Sequence, residues 1–399
     1  MIGREGSGEL DKPPSPHALA TARPAGPWRV AVLANLKSEV SFGPEAPPDA
    51  GAEYDREETV EAIAAAIEAE GHWVTVLPAD HTLPQALHRL RPHLCFNIAE
   101  GLRGDAREAQ APAVCELLGI PYTASRVLAN ALSLDKTLTK RIWRDHGLPT
   151  APFQEFTSAE DALDPALAFP LFVKPAREGT GMGIDARAVV HDSESLRARV
   201  DWLLRTYRQP ALVEAFLPGR EFTVGFIGNP GVPLRRRRPW LYRPDGYHLF
   251  PVLEIEAAGS VTPGVYSHDA KALDPGEHGA PDYLVPAAIP TALRERLYDL
   301  TRRAAEALGA CDVSRLDFRL GGDGEPYLLE INTLPGLNPR VSDLCIIARA
   351  EGVAYQELIS EILYLAAERF GLPFQAGPLT RPRARARSRA LVAANAGPA

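Results

Sequence analysis

The sequence predicts an α/β chain that begins with a parallel sheet and continues into mixed α+β lobes. Short apolar strands alternate with amphipathic helices over the first 125 residues, this rhythm changes after residue 126, and the strands become longer and mixed after Glu221. A β-α-β-α rhythm favours a parallel sheet with helices on both faces. At 399 residues the chain suits two or three packed lobes. The predicted divisions are 1–27 (disordered leader), 28–125, 126–213, 214–375 and 376–399 (disordered Arg-rich tail).

Composition excludes several classes of protein. Hydrophobic residues make up 45% of the chain and charged residues 24%, which is ordinary for a globular enzyme. The net charge of −8 argues against a nucleic-acid partner, and the lack of an 18-residue apolar run argues against a membrane span. The N-terminus has no apolar segment of a secretory signal, so a cytoplasmic location is expected. The cysteines lack metal-binding spacing and are predicted to be buried thiols: Cys95, Cys115, Cys311 and Cys345.

The first lobe is expected to open with a buried strand at Arg29–Leu36. Asp55 and Glu58 form a capping-box pattern that predicts the start of a helix, and Gly71 predicts its end. Further strands are predicted at Trp73–Leu77 and His93–Asn97, and further helices at Pro84–Arg91 and Glu108–Leu118.

In the remaining lobes, a helix over Ser133–His146, capped by Ser133, is predicted to precede a glycine-rich turn between two strands. The other predicted strands are Leu171–Lys174, Ala188–His191, Ala211–Phe216, Phe222–Ile227, Pro251–Ile255, Ser314–Leu320 and Tyr327–Ile331. The other predicted helices are Glu194–Tyr207, Thr291–Leu308 and Tyr355–Phe370. The arginines that follow Arg381 predict a solvated tail or a tether for an anionic partner, and these alternatives stay open.

Glycines at 179, 181 and 183 follow Lys174 and predict a turn whose backbone N–H groups can surround an anion. A dinucleotide-binding fingerprint would have to lead into a helix, whereas these glycines lead into a strand. The pattern therefore favours a hairpin flap over phosphate, with Lys174 as a point charge. A plain glycine hairpin is the alternative.

Two predicted strands near the C-terminus carry a cluster of oxygen-bearing side chains. Arg315 and Asp317 are two residues apart, as are Glu330 and Asn332, so the members of each pair share one face of their strand. If the strands are paired, Asp317, Glu330 and Asn332 converge and suit Mg²⁺. The alternative is a solvated polar face on an edge hairpin.

The segment from Glu214 to Glu221 closes a strand and turns. Such a segment can offer backbone groups to a base and a carboxylate to ribose hydroxyls, although glutamates at strand ends are common on protein surfaces.

Taken in order, these stretches resemble the ATP-grasp superfamily and, within it, the D-alanine–D-alanine ligase branch. The resemblance runs from Trp28 to Leu372 and rests on LSLDKTLTK, FVKPAREGTGMG, LVEAFLPGREFTV and RLDF…YLLEINTLPG, with CELLGIPYTAS joining the first two lobes. It implies a three-lobe ATP-grasp fold with a Rossmann-like first lobe, and an ADP-forming ligase that joins a carboxylate to an amine through an acyl phosphate. The implied substrates are amino acids or short peptides, and a homodimer is the family habit.

The resemblance also implies roles for individual residues. Lys136 and Lys174 are the implied phosphate-binding lysines, and the implied flap over phosphate contains Glu178, Gly179, Gly181 and Gly183. The implied adenine contacts are Glu214, Phe216 and Leu217, and the implied ribose contact is Glu221. The metal ligands are Asp317, Glu330 and Asn332, for two Mg²⁺ ions, with Mn²⁺ as a substitute. The catalytic candidates are Arg315 for the tetrahedral intermediate, Lys271 on the segment Ser267–Lys271 that closes over the γ-phosphate (the closing loop), and Thr180 in the flap.

The amino-acid pocket departs from the family pattern. Lys37 replaces the expected acid, Ala272 replaces a tyrosine, and Glu100 opens a loop where the family has His-Gly. The candidate substrate residues are Glu100, Arg107, Gly336 and Arg340. Because guanidinium binds carboxylate bidentately, Arg107 or Arg340 predicts a larger or more acidic substrate than D-alanine, unless both are only surface charges.

Two alternatives to a D-alanine ligase remain at this point. One is a related ATP-grasp ligase with another amino-acid or peptide acceptor in secondary metabolism, so a role in cell-wall synthesis stays open. The other is a nucleotide-binding regulator without turnover.

Overall fold

The computed structural model describes residues 26–231, 238–262, 264–271 and 273–373. Ala272, nearly all of the predicted leader and the predicted Arg-rich tail lie outside the described residues.

The first lobe is a parallel sheet in the order β2-β1-β3 with helices packed on it, as predicted. Val30 at the centre of the sheet pairs with Val74 on one side and Leu94 on the other. Its elements are β1 (Arg29–Ala34), α1 (Glu57–Ala69), β2 (Trp73–Pro78), α2 (Leu83–Leu90), β3 (Leu94–Asn97) and α3 (Gln110–Leu117).

The predicted capping box at the start of α1 is wrong. The N-cap of α1 is Arg56, and no side chain caps the helix. The backbone of Asp55 pairs instead with the chain just after β1, where its N–H bonds the carbonyl of Asn35 at 3.2 Å. Asp55 therefore ends an extended segment, one residue before the cap, and its side chain lies on the wall of a cleft.

The middle lobe contains an antiparallel sheet in the order β4-β7-β5-β6. The pairing of Leu171 with Val190 confirms that the glycine-rich turn joins two strands as a hairpin. The strand β7 runs across the predicted boundary between residues 213 and 214. The elements are α4 (Val127–Leu134), α5 (Lys136–Asp145), β4 (Phe153–Phe156), β5 (Leu171–Pro175), β6 (Val189–Val190), α6 (Ser193–Tyr207) and β7 (Ala211–Ala215).

The prediction of one helix over Ser133–His146 is wrong, because α4 and α5 meet at Asp135. The extended backbone of Asp135 starts α5, and its carboxylate accepts a hydrogen bond from the N–H of Leu138 at 2.9 Å. Aspartate is a strong N-cap. The hydroxyl of Ser133 instead bonds that of Thr333 at 2.7 Å, which ties α4 to the third lobe.

The third lobe is built on an antiparallel sheet in the order β11-β10-β8-β12-β13, with β9 paired to β8. Its long central strands carry the predicted acidic cluster. The elements are β8 (Glu221–Gly228), β9 (Tyr247–Leu249), β10 (Leu253–Glu256), α7 (His268–Lys271), β11 (Asp282–Leu284), α8 (Thr291–Leu308), β12 (Asp312–Leu320), β13 (Pro326–Asn332), α9 (Asp343–Glu351) and α10 (Tyr355–Arg369).

The first and third lobes share one apolar core. Val60 and Ile63 of α1 belong to the same buried cluster as Ile359 and Ile362 of α10. Burying each such side chain contributes roughly 1.5–3 kcal/mol, so the two walls of the cleft between these lobes are firmly joined. The cysteines are buried and unpaired, as predicted. Within the described part of the chain, no helix is long and apolar enough to span a membrane.

Candidate active site

A cleft of about 340 Å³ lies where the three lobes meet. Its walls are the loop after β1, the loop after β3, the tip of the glycine-rich hairpin, and β12 and β13 with the segment that follows them. A smaller cavity of about 70 Å³ shares Tyr266, Lys271 and Glu330 with this cleft and extends between the middle and third lobes. The motifs selected from the sequence therefore surround two neighbouring cavities that share part of their walls.

The strand register brings the predicted metal ligands together. Asp317 lies directly opposite Glu330, and Arg315 lies opposite Asn332. Residues opposite each other on paired strands share a face of the sheet. Asp317 accepts hydrogen bonds from Thr223 at 2.8 Å and from both Nε and Nη2 of Arg315 at 3.1 and 2.9 Å. The predicted pairing of these strands is confirmed.

The charge on Glu330 is stabilised by the cations around it. Burial opposes ionisation, but Lys136, Lys271, Lys174 and Arg315 outweigh this effect and lower the pKa of the Glu330 carboxyl. The closest of these is Lys136, whose Nζ lies 3.3 Å from Oε2 of Glu330. The ionised form of Glu330 is the form that can bind a cation.

Lys174 belongs to a buried triad on the other side of the cavity. Its Nζ and that of Lys140 each lie 2.9 Å from an oxygen of Glu214. Burial raises the pKa of Glu214, but the two lysines outweigh this effect and lower it to about 2. Lys174 lines the small cavity, whereas Lys140 is fully buried behind it.

The small cavity collects the residues predicted to contact adenine and ribose. Glu214, Phe216, Leu217 and Glu221 all line it. Arg319 stacks over the ring of Phe216 at 5.4 Å and pairs with Glu221 at 3.3 Å. The cavity thus has an apolar wall and a carboxylate within one strand-turn-strand segment.

The tip of the hairpin, from Thr180 to Gly183, adopts left-handed backbone at three positions. Thr180, Gly181 and Gly183 have φ of 49°, 70° and 70°. A side chain at Gly181 would place its Cβ 2.9 Å from the backbone nitrogen of His268 on the closing loop. Gly179 and Thr180 line the cleft, and Lys271 lies across it with its Nζ 4.5 Å from the ring centre of Tyr266.

The loop after β1 holds this hairpin from the side of the first lobe. The backbone N–H of Gly179 bonds Glu53 at 2.5 Å, and that of Gly183 bonds Asp49 at 2.7 Å. The side chain of Glu178 is turned toward the first lobe, where Arg107 bonds it at 3.0 Å. The backbone carbonyl of Glu178 accepts a hydrogen bond from Lys136.

The predicted substrate residues separate into two groups. Glu100 and Gly336 line the cleft. Arg107 instead pairs with Glu53 at 2.7 Å and with Glu178, and Arg340 is exposed and pairs with Glu58 at 3.0 Å. Both arginines already have carboxylate partners within the chain, so the structure does not support the expectation that they bind an acidic substrate.

Several residues of the site were missed from the sequence. Lys140 could have been found, because it lies four residues after Lys136 and so on the same face of α5. Asp343, whose Oδ2 lies 2.8 Å from Nη1 of Arg315, and the cleft-lining Glu53 and Glu108 gave no such signal. These residues lie in loops or at the start of a helix, where no periodic pattern predicts the direction of a side chain.

A glycine-rich hairpin facing an acidic antiparallel pair across a three-lobe cleft is the arrangement of the ATP-grasp ligases. Comparisons with known proteins agree. Residues 142–364 match the family model described as D-ala D-ala ligase C-terminus. The chain is 32% identical over 312 residues to the D-alanine–D-alanine ligase of Desulforudis audaxviator, covering 77% of this chain and 92% of that protein.

Further similar proteins include another ligase, an uncharacterized protein and a solved structure. The D-alanine–D-alanine ligase of Syntrophotalea carbinolica is 34% identical over 76% of this chain and 89% of its own length. The uncharacterized protein y4sG of Sinorhizobium fredii is 31% identical over 78% of this chain and 88% of its own length. The solved D-alanine–D-alanine ligase of Bacillus anthracis complexed with ATP has the same fold, with a TM-score of 0.64 at 20% identity, covering 86% of this chain and 99% of that one.

The chain belongs to the D-alanine–D-alanine ligase family, and it is an ATP-dependent ligase of that type. The alternative of a regulator without turnover is not supported.

Proposed function

We propose that this enzyme phosphorylates the carboxylate of an amino acid or short peptide with ATP and joins the resulting acyl phosphate to the amine of a second one. The observation that carries the proposal is that Asp317 and Lys174 line the small cavity and Lys136 lines the adjoining cleft, with Glu330 in the wall of both and 3.3 Å from Lys136. Cations and carboxylates at this spacing suit a polyphosphate held with metal ions.

ATP binding is inferred from the shape and charge of the two cavities. The small cavity offers Phe216 as an apolar wall for a base and Glu221 for ribose hydroxyls. Lys136 and Lys174 then stand where phosphates would enter the larger cleft, below the hairpin tip. Because the side chain of Glu178 points away from this space, the backbone of the tip is the part suited to contact phosphate.

Asp317, Glu330 and Asn332 form a donor set that fits Mg²⁺. The set has two carboxylates and one amide oxygen. Among the described residues there is no group of three or more His, Cys, Asp or Glu side chains that could hold a metal ion without an amide. Mg²⁺ is usually held by one or two carboxylates together with waters and substrate phosphates. These residues would hold one or two ions, which supply positive charge beside the transferring phosphoryl group.

Arg315 and Lys271 provide the remaining positive charge at the reacting groups. Arg315 is held at 2.9 and 2.8 Å by Asp317 and Asp343, and it lines the cleft beside Asn332. An arginine fixed in this way can stabilise negative charge that develops on a tetrahedral carbon without reorganising. Closure of the hairpin tip against the closing loop at His268 would exclude water from the acyl phosphate.

The proposal is tested by incubating the enzyme with ATP, Mg²⁺ and pooled L- and D-amino acids. ADP release that depends on amino acids, together with a dipeptide mass in the products, supports it. ADP release without any condensed product, or no release with any amino acid, would refute it. A cytoplasmic location and a homodimer are also part of the proposal, and the homodimer rests on the family resemblance alone.

A further inference from the structure

The large cleft has a recess on the first-lobe side whose walls are rich in carboxylates. Glu53 and Asp55 come from the loop after β1, and Glu100 and Glu108 come from the loop after β3. We name these four residues the acidic recess. Glu53 is paired with Arg107. Among the described residues, the side chains of the other three have neither a hydrogen bond nor an ion pair.

These unpaired carboxyls raise the cost of one another's ionisation. Burial raises the pKa of Asp55 to about 7, and burial together with Glu53 raises that of Glu108 to about 8. Burial and the charges of Glu108, Glu53 and Asp55 raise the pKa of Glu100 as well. Arg107 lowers the pKa of Glu100, and Arg107 and Lys136 lower that of Glu108, but burial and the neighbouring carboxylates outweigh these cations. A cation bound in the recess would favour the ionised carboxylates.

Asn97 gives an independent indication of a ligand. It ends β3, lines the same cleft and is only 3% exposed, yet its side-chain nitrogen has no hydrogen-bond partner. Buried polar atoms are nearly always satisfied, so an orphaned donor beside a cavity indicates a missing acceptor. A ligand oxygen near a ligand cation would satisfy both the amide and the carboxyls, and amino acids carry this combination.

The missing cation is better matched by an organic group than by a metal ion. In the parts of the chain that the structure describes, the acidic residues are not grouped closely enough to hold a metal. Ammonium and guanidinium groups bridge wider spacings because they donate several hydrogen bonds. Arg107 is already shared by Glu53 and Glu178, which leaves Asp55, Glu100 and Glu108 without an ion pair among the described residues. An α-ammonium group donates from a single nitrogen, whereas a guanidinium group has five N–H donors and can reach carboxyls on both loops.

We propose that the acidic recess binds the side-chain ammonium or guanidinium group of a basic amino acid or basic peptide, and so selects a basic substrate. The inference rests on the proposed ligase function and specifies its substrate class. It reverses the charge expected from Arg107 and Arg340, because those arginines have internal partners. Lys37 also lines the cleft and is the chain's own competitor for the recess.

The test compares basic amino acids with neutral isosteres: arginine with citrulline, and lysine with norleucine, as both enantiomers. We expect kcat/KM for ADP release to favour the basic member by about tenfold or more, equivalent to a difference of about 1.4 kcal/mol. Asp55→Asn and Glu108→Gln should each move this ratio toward one. Glu61→Gln, which removes an exposed acid from α1, is the matched control and should keep the wild-type ratio.

Isothermal titration calorimetry with arginine and citrulline separates this inference from the ligase function. ADP release with equal use of both isosteres would overturn the basic substrate and leave the ligase intact. A preference that survives in both recess variants would overturn the assignment of these residues. Without any ADP release the ligase proposal fails, and calorimetry still decides whether arginine binds the recess. Binding of arginine by Lys37→Ala but not by the wild type would show that Lys37 fills the recess and would also overturn the inference.

Discussion

Arg315 and Asp343 form a buried ion pair that joins β12 to the first residue of α9, with Nη1 and Oδ2 2.8 Å apart. Asp317 occupies the other edge of the same guanidinium. Two carboxylates on separate elements thus fix the plane of this arginine, and the catalytic candidate from the sequence has a positioning partner that the sequence did not indicate.

Replacing Asp343 with asparagine keeps the shape of the side chain and removes the charge that holds Arg315. We expect a loss of roughly 1.5–3 kcal/mol in the free energy of unfolding, the range for hydrogen bonds to charged groups. We also expect kcat to fall more than the KM for ATP rises, because the proposed function assigns Arg315 to the reacting carbon rather than to the base. Urea unfolding and steady-state kinetics check both. Unchanged kcat would show that Asp343 does not position Arg315.

Lys174 and Lys140 provide a matched pair, since both lie 2.9 Å from Glu214 but only Lys174 lines the small cavity. Lys174→Ala should raise the KM for ATP by about tenfold or more, from the loss of one charge-assisted contact. Lys140→Ala should instead lower the stability of the fold and leave the KM for ATP of the folded enzyme close to that of the wild type. Equal effects of the two changes on the KM would contradict the nucleotide assignment of Lys174.

Asp317→Ala and Glu330→Ala should each abolish turnover while the protein stays folded. The reason is that each removes a carboxylate from the set that suits Mg²⁺. Circular dichroism reports the fold, and the paramagnetic effect of Mn²⁺ on water relaxation reports metal binding in the presence of ATP without relying on activity. Wild-type metal affinity in Glu330→Ala would exclude this residue as a ligand.

Gly181→Val should raise the KM for ATP and lower the free energy of unfolding by about 1–3 kcal/mol, the usual cost of a strained backbone position. The φ of 70° disfavours a branched side chain, and its Cβ would lie 2.9 Å from the backbone nitrogen of His268, so the tip would be pushed away from α7. Gly43→Val is the control, because nothing lies within 4 Å of a Cβ there and its φ is not in the left-handed region. A similar change in KM for both variants would show that closure at His268 is unimportant.

Glu108→Gln should make the ligand-free protein more stable at alkaline pH. Burial and Glu53 raise the pKa of Glu108 from 4.5 to about 8, whereas Arg107 and Lys136 lower it and Glu178 raises it. A carboxyl with a raised folded-state pKa stabilises the fold below its unfolded pKa, and this contribution is lost as pH rises through the folded pKa. The wild type should therefore lose stability between pH 4.5 and about 8.

Thermal unfolding checks this sign. At about pH 8.5, Glu108→Gln should melt higher than the wild type by about 2 °C or more, and this advantage should vanish near about pH 4.5. Glu61→Gln should show no such crossing. An advantage of equal size at both pH values would show that the effect is not due to ionisation of Glu108.

Short sequence patterns predicted correctly which side chains share a face of a strand, because the two-residue period of the backbone fixes that face. The two-residue period placed Asp317 with Arg315 and Glu330 with Asn332, and the register of β12 and β13 confirms that these pairs face each other. The glycine spacing predicted a hairpin, and β5 and β6 confirm it. Local cap signals were less reliable. Asp55 and Ser133 both resembled helix caps, but each makes contacts elsewhere, with the chain after β1 and with Thr333.

Motif order and strand periodicity were sufficient for the fold class and for the oxygen cluster on β12 and β13, because these depend on short motifs and on side chains two residues apart. The charge around the predicted substrate residues could be read only from the tertiary structure. Arg107 pairs with Glu53, 54 residues away in the sequence, and Arg340 pairs with Glu58, 282 residues away. The two arginines that predicted an acidic substrate therefore have carboxylate partners within the chain. Coulomb energy depends on distance in space, and no linear pattern records which carboxylates are left without a cation.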